Sequence, residues 1–136
     1  MNVFVIPSWW PHRCFPWEGS FLAEQAEAIA ACRPGWRVGL SLWGQGEGFL
    51  STAHLLRSPR CLLDALALRP GERERAAGVV EFLTPAPWWP ERLLGGNKGA
   101  LLAANRANLE RARRCFGTVD VIHAHVAYPA GWLAMR

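Results

Sequence analysis

The pattern of apolar and polar positions divides the chain into alternating strand-like and helix-like segments. Val3 to Ile6 is an unbroken apolar run ended by Pro7, which predicts a central parallel strand. Ser8 to Glu18 follows as a connection far longer than the ~2–6 residues usual between a strand and a helix. Gly19-Ser20 opens a helix to about Cys32, with Leu22, Ala26, Ile29 and Ala30 as its inward stripe and Ser20 as the expected N-cap. Arg33-Pro34-Gly35 stops that helix, and the alternation of Val38, Leu40 and Leu42 predicts a second strand over Trp36 to Trp43. Strand, helix and strand in this order form a right-handed crossover.

The middle of the chain is less periodic. Gly44 to Gly48 reads as a flexible turn, because it lacks the spacing, lysine and hydroxyl of a phosphate loop. Cys61 to Leu68 predicts a short helix, Arg69 to Arg75 a charged turn, and Gly78 to Leu83 a third strand stopped by Thr84-Pro85. The longest helix is expected over Lys98 to Phe116, capped by Asn97, with Leu102, Leu109, Ala112 and Phe116 facing inward. Asn105 falls in that stripe, and its amide must find partners if buried. Gly117 closes the helix, and Val119, Val121 and Ile122 predict a last parallel strand covered on both faces. Tyr128-Pro129 breaks it, and Ala130 to Met135 begins another helix.

Composition narrows the class. With 136 residues, 51% of them hydrophobic and 19% charged, the chain has material for one folded core rather than a disordered tail. The net charge of +4 comes from scattered arginines, with Lys98 the only lysine, which does not describe a nucleic-acid surface. No stretch approaches the ~20 apolar residues of a membrane span. The start runs directly into Asn2-Val3-Phe4 without a signal-peptide pattern, so the expectation is a cytoplasmic chain. Cys14, Cys32, Cys61 and Cys115 lack paired spacing and are expected as reduced thiols.

Three features carry candidate chemistry. The helix start at Gly19 offers backbone amides and a helix dipole to an anion, although glycine is also a common cap. His123 and His125 stand two apart at the carboxyl end of a strand, where open α/β sheets bind ligands. Two imidazoles can ligate a metal, yet no Cys, Asp or Glu stands beside them to complete a site, and His123 is expected to be a hydrogen-bonded core histidine. Of eight tryptophans, Trp9, Trp10, Trp17, Trp88 and Trp89 fall in predicted loops. Their rings either stack on sugars or membrane interfaces, or plug one another above the sheet.

Taken together, Val5-Ile6-Pro7-Ser8-Trp9-Trp10-Pro11, Gly19-Ser20-Phe21-Leu22-Ala23-Glu24-Gln25-Ala26, and Asp120-Val121-Ile122-His123-Ala124-His125 with Tyr128-Pro129-Ala130-Gly131 resemble the amino-terminal domain of retaining nucleotide-sugar glycosyltransferases of the GT-B architecture. This is the large family related to glycogen synthase and the bacterial mannosyltransferases. The resemblance implies an α/β fold, a Rossmann-like parallel sheet with helices on both faces, and places residues 1–136 as part of the acceptor-side domain. By the same resemblance, Gly19 and Ser20 approach the donor diphosphate and the reaction centre, and His125 contacts the transferred sugar. Trp9, Trp10, Trp17 and Tyr128 are the corresponding acceptor-side candidates.

The resemblance also implies reaction with retention, no protein nucleophile, no metal and no cofactor beyond the nucleotide-sugar substrate. The implied acceptor is a glycan or lipid-linked oligosaccharide in cell-surface polysaccharide assembly, with peripheral contact at the inner face of the cell membrane and no nucleic-acid partner. The family's nucleotide-binding carboxy-terminal domain carries two glutamates separated by seven residues, and no two glutamates here stand eight positions apart. The chain is therefore expected to be a fragment, or one part of a split enzyme needing a partner chain, and inactive alone. Two other classes remain open: a non-catalytic glycan- or nucleotide-binding module, and a subunit whose partner supplies the nucleotide half.

Overall fold

The computed structural model describes residues 1–11, 16–45, 59–86 and 97–136. The Trp88-Trp89 pair, Cys14 and most of the glycine-rich turn lie outside the described residues. Five strands, β1 (Asn2–Ile6), β2 (Arg37–Leu42), β3 (Gly71–Ala76), β4 (Val79–Leu83) and β5 (Val121–Ala124), form one sheet in the order β3-β4-β2-β1-β5. β1 runs parallel to both β2 and β5, β2 runs parallel to β4, and β3 lies antiparallel on β4. The chain is thus α/β, with a mixed and mostly parallel sheet.

The period of two along β1 sorts its side chains between two cores. Val3 and Val5 point to the face covered by α1 (Ser20–Cys32), where they meet Leu22, Ala26, Val38, Leu40 and Val79. Phe4 and Ile6 point to the opposite face, covered by α3 (Lys98–Phe116), where Phe82, Leu101, Ala104, Ala112 and Phe116 close the layer. Each such side chain contributes about 1.5–3 kcal/mol when fully withdrawn from water. β1 is buried along its whole length because it has a strand on each side and a helix on each face.

Polar groups inside the α3 layer are mutually satisfied. The Ser41 hydroxyl donates to Asn105 Oδ1 at 2.6 Å, and Asn105 Nδ2 donates to the Leu101 carbonyl at 2.9 Å. Asn108, fully buried, donates to Ser41 Oγ and to the Leu42 carbonyl and accepts from the Thr84 hydroxyl. Leu102 and Leu109 are only partly buried, so the inward stripe is rotated toward Leu101, Ala104, Asn105 and Asn108. Two buried asparagines carry part of the face because β2 offers them the Ser41 hydroxyl and the Leu42 carbonyl, whose second lone pair accepts the Thr84 N–H.

Several local expectations change. Arg69 to Arg75 is not a turn: Gly71–Ala76 pairs with β4 as the antiparallel hairpin strand β3. Its alternating charges suit a strand at a sheet edge facing water, which hydrophobic periodicity does not register. Gly19 occupies the N-cap position of α1 and Ser20 the first helical one, with no side-chain cap bond. Asn97 stands at the N-cap of α3 without a side-chain cap bond either, while Gly117 ends that helix with its N–H on the Arg113 carbonyl. The short helix α2 spans Pro59–Ala67. After β5, a wide turn over Ala127–Gly131 leads to α4 (Trp132–Ala134).

β5 is the largest departure. It lies at the edge beside β1 instead of under two helical layers, and both Val121 and Ile122 are 42% exposed. Its amino end is nonetheless firmly tied. The Asn2 backbone N–H donates to Asp120 Oδ2 at 2.7 Å, the Asp120 N–H donates to the Asn2 carbonyl, and the Asn2 amide donates to the Phe116 and Thr118 carbonyls. Arg37 reaches the same place, donating to Asn2 Oδ1 and the Phe116 carbonyl, so the carboxyl end of α3 is closed by a cation as its dipole favours.

Candidate functional site at the carboxyl ends of β1 and β5

The sheet order reverses at β1. One crossover leaves through α1 to β2, while the chain that has travelled outward to β4 returns through α3 on the other face to β5. The carboxyl ends of β1 and β5 are therefore the topological switch point, the usual ligand position in an open α/β sheet.

Pairing in register places His123 opposite Val5 and Ala124 opposite Ile6. The His125 N–H donates to the Ile6 carbonyl at 3.1 Å, and the Ser8 hydroxyl donates to the His125 carbonyl at 3.0 Å. Those two bonds lock the two loops together directly above the β1–β5 pair. The imidazoles share one side of the chain, as expected, with ring centroids 4.6 Å apart. Their roles are reversed relative to expectation: His123 is exposed, and His125 is the more sheltered ring. Edge placement explains this, since among the described residues β5 pairs with β1 alone. Burial, reinforced by the neighbouring His123, holds the His125 imidazole below the ordinary histidine pKa, so it favours the neutral form.

Gly19 adopts φ +69°, and a Cβ there would stand 2.8 Å from the carbonyl carbon and oxygen of Trp9. The loop backbone over Trp9 and Trp10 thus packs directly on the glycine, which brings the amino end of α1 up to the β1 loop. The glycine is accounted for by this contact inside the chain. Ser20 follows at the start of the helix, its N–H on the Trp17 carbonyl at 3.3 Å. Val126 also has positive φ (63°, with ψ 160°), a backbone region that costs a β-branched residue about 1–3 kcal/mol. Its carbonyl accepts the Gly131 N–H at 3.0 Å, and a Cβ on Gly131 would sit 3.1 Å from that oxygen. The turn after His125 is therefore held in a strained shape by the start of the final helix.

The aromatic candidates separate. Trp17 is 72% exposed, and Trp9 and Tyr128 are also open to solvent. Trp10 is not a surface residue: it is 7% exposed, packs in the α1-side core, and has the Arg75 guanidinium 5.4 Å from its ring centroid. Lys98, at the start of α3, places its ammonium 5.5 Å from the Tyr128 ring centroid and 5.6 Å from that of Trp132. No role for this cation was read from the sequence, where it appeared as the only lysine and the first residue of a helix.

Among the described residues no group of three His, Cys, Asp or Glu side chains could hold a metal ion, and no helix is long and apolar enough to cross a membrane. Cys32 and Cys115 are free and exposed thiols. The junction of the β1 and β5 loops assembles a neutral-leaning imidazole, a serine-bound carbonyl and, through the Trp9–Gly19 contact, a helix amino end, while the Lys98 ammonium lies against Tyr128 in the turn after β5. Such a set suits an uncharged polyol together with an anionic group. No family model, no curated protein and no solved structure matches this chain.

Proposed function

We propose that the chain is the acceptor-side, amino-terminal part of a retaining nucleotide-sugar glycosyltransferase. The observation that carries this reading is the convergence, at the point where the strand order reverses, of the Gly19 helix start, the Ser8 loop and His125. In this reading the His125 ring or carbonyl contacts the transferred sugar. Gly19, Ser20 and the α1 dipole face the donor diphosphate. Trp9, Trp17 and Tyr128 flank the acceptor glycan or lipid-linked acceptor.

Transfer proceeds at one face of the sugar. The acceptor oxygen bonds to the anomeric carbon as the bond to the leaving phosphate oxygen breaks, and the hydroxyl proton passes to that phosphate. The protein's part is positioning and electrostatic stabilisation of the leaving diphosphate, which needs neither a protein nucleophile nor a metal. The nucleotide half comes from a second Rossmann-like domain, and the 136 residues alone transfer nothing. Membrane contact is peripheral, at the inner face, through exposed aromatics and arginines.

The test is donor turnover, with a panel of UDP- and GDP-sugars, by protein translated from the reading frame continued past Arg136, beside its His125→Ala variant and the 136-residue chain. Turnover by the extended protein, a loss of roughly 10²-fold in the variant and silence from the short chain are expected. Extended protein that turns over no donor, or is indifferent to His125→Ala, sinks the reading.

A second reading, a subunit completed by a partner chain, is favoured by the open β5 edge. Beside that edge lies a groove of about 510 Å³ with an apolar floor that includes Phe4, Ile6 and Ile122 and a charged rim that includes Arg106, Glu110 and Arg113. Restoration of turnover on adding a separately expressed nucleotide-binding chain would select this version.

A further inference from the structure

A separate cavity of about 320 Å³ opens two strands away from His125, at the carboxyl ends of β2 and β4 and beside β3. Trp10, Pro11, Leu42, Leu68 and Leu83 give it an apolar lining. Its size is that of a binding pocket for part of a small molecule rather than a packing defect.

The polar groups in its wall are already engaged. Gln45 Oε1 accepts the Trp43 N–H, and Gln45 Nε2 donates to the Pro7 and Ser41 carbonyls. Glu81, whose side chain is 7% exposed, receives Arg73 on one carboxylate oxygen at 2.8 Å and Arg75 on the other at 3.1 Å. Arg75 is also bound to Glu27, which fixes the guanidinium beside the Trp10 ring. No hydrogen-bonding demand from Gln45 or Glu81 is left for an occupant, so the interior favours apolar matter. Arg73, largely exposed at its border, keeps guanidinium N–H groups beyond the Nε and Nη2 that Glu81 takes, and Glu81 with Glu27 balances the charge of Arg73 and Arg75. Donors whose charge is already balanced favour no charged head group and suit the oxygens of hydroxyls.

We propose that this cavity binds the apolar portion of an uncharged amphiphile, an alkyl or aryl group whose hydroxylated head stays at the Arg73 border. The cavity opens at the same carboxyl end of the sheet as His125, across the Pro7–Pro11 loop. Its occupant is then the aglycone of the acceptor, an identification that rests on the transferase reading, whereas the binding itself does not.

The experiment titrates the 136-residue chain with octyl β-D-glucoside below its micelle concentration, with glucose as the head-group control, using heteronuclear NMR shifts. Leu68→Trp fills the cavity from its half-exposed wall, Leu83→Phe fills it from β4, and Leu63→Trp adds the same bulk on the exposed face of α2. Saturable single-site binding is expected, roughly tenfold weaker for glucose and for whichever filling variant retains the native spectrum, and unchanged for Leu63→Trp. Absence of saturation, or equal binding by the filled variants, overturns the site. Glycoside binding without donor turnover by the extended protein would refute the transferase reading and leave this site standing. Donor turnover without glycoside binding would refute the site alone.

Discussion

The two edges of the sheet are built on opposite principles. β3 ends the sheet with Glu72, Arg73, Glu74 and Arg75, a charged strand that is open to water along most of its length. β5 ends it with Val121 and Ile122, apolar side chains that water reaches on both. Charges on an edge strand discourage further pairing, whereas an apolar edge invites it. The Asp120 N–H is directed to β1, so strand alternation turns the backbone groups of Val121 and His123 outward to the open side. β3 therefore terminates the sheet, and β5 presents a surface suited to a further strand, next to His125.

The comparison breaks most visibly at Glu81, the carboxylate that receives both β3 arginines. Glu81→Ala should cost about 3 kcal/mol, the lower end for a broken buried ion pair because Arg73 is largely exposed, and urea unfolding will measure it. A loss below about 0.5 kcal/mol would mean that β3 is held by its ladder alone. At the other edge, Ile122→Lys should change stability by less than about 0.5 kcal/mol, the range of surface substitutions, yet reduce self-association in sedimentation velocity. If it unfolds the chain, Ile122 is covered in solution and the edge is not open.

The smallest effect concerns pH. Burial lowers the His125 pKa in the folded chain, so on acidification the unfolded chain takes up this proton first. This contribution to stability is complete above the ordinary histidine value of ~6.5 and is lost as pH falls through the lowered folded value. The melting temperature of wild type should fall more than that of His125→Asn between neutral and mildly acidic pH. His123→Ala should raise the His125 pKa only in part, because burial is the larger cause. Parallel melting curves, or a His125 titration at or above the free value, would remove the sheltered-imidazole description.

Much of the architecture was legible because it is local. Val3 to Ile6, the α1 stripe of Leu22 and Ala26, the alternation through β2, and the Lys98–Phe116 helix closed by Gly117 each carry their own periodicity or stop signal. The proximity of His123 and His125 was legible for the same reason, since a spacing of two fixes one side of a strand. The exposure of His123 and the burial of Trp10 were not, because each depends on what packs against it from elsewhere. Gly19 was visible as a helix start, but its contact with the Trp9 carbonyl requires the loop to fold back over ten residues.

The amino-acid sequence by itself determined the succession of strands and helices apart from β3, the apolar runs of β1 and β2 and the placement of polar chemistry after β1 and β5, since these follow from nearest-neighbour geometry and side-chain period. Only the tertiary structure decided that β5 lies beside β1 at an edge, that a charged segment becomes the opposite edge, and that Trp10, Leu42, Leu68 and Leu83 enclose a cavity. Those outcomes depend on pairing and packing between residues distant along the chain, where the same apolar run is stable either covered or open depending on its neighbours.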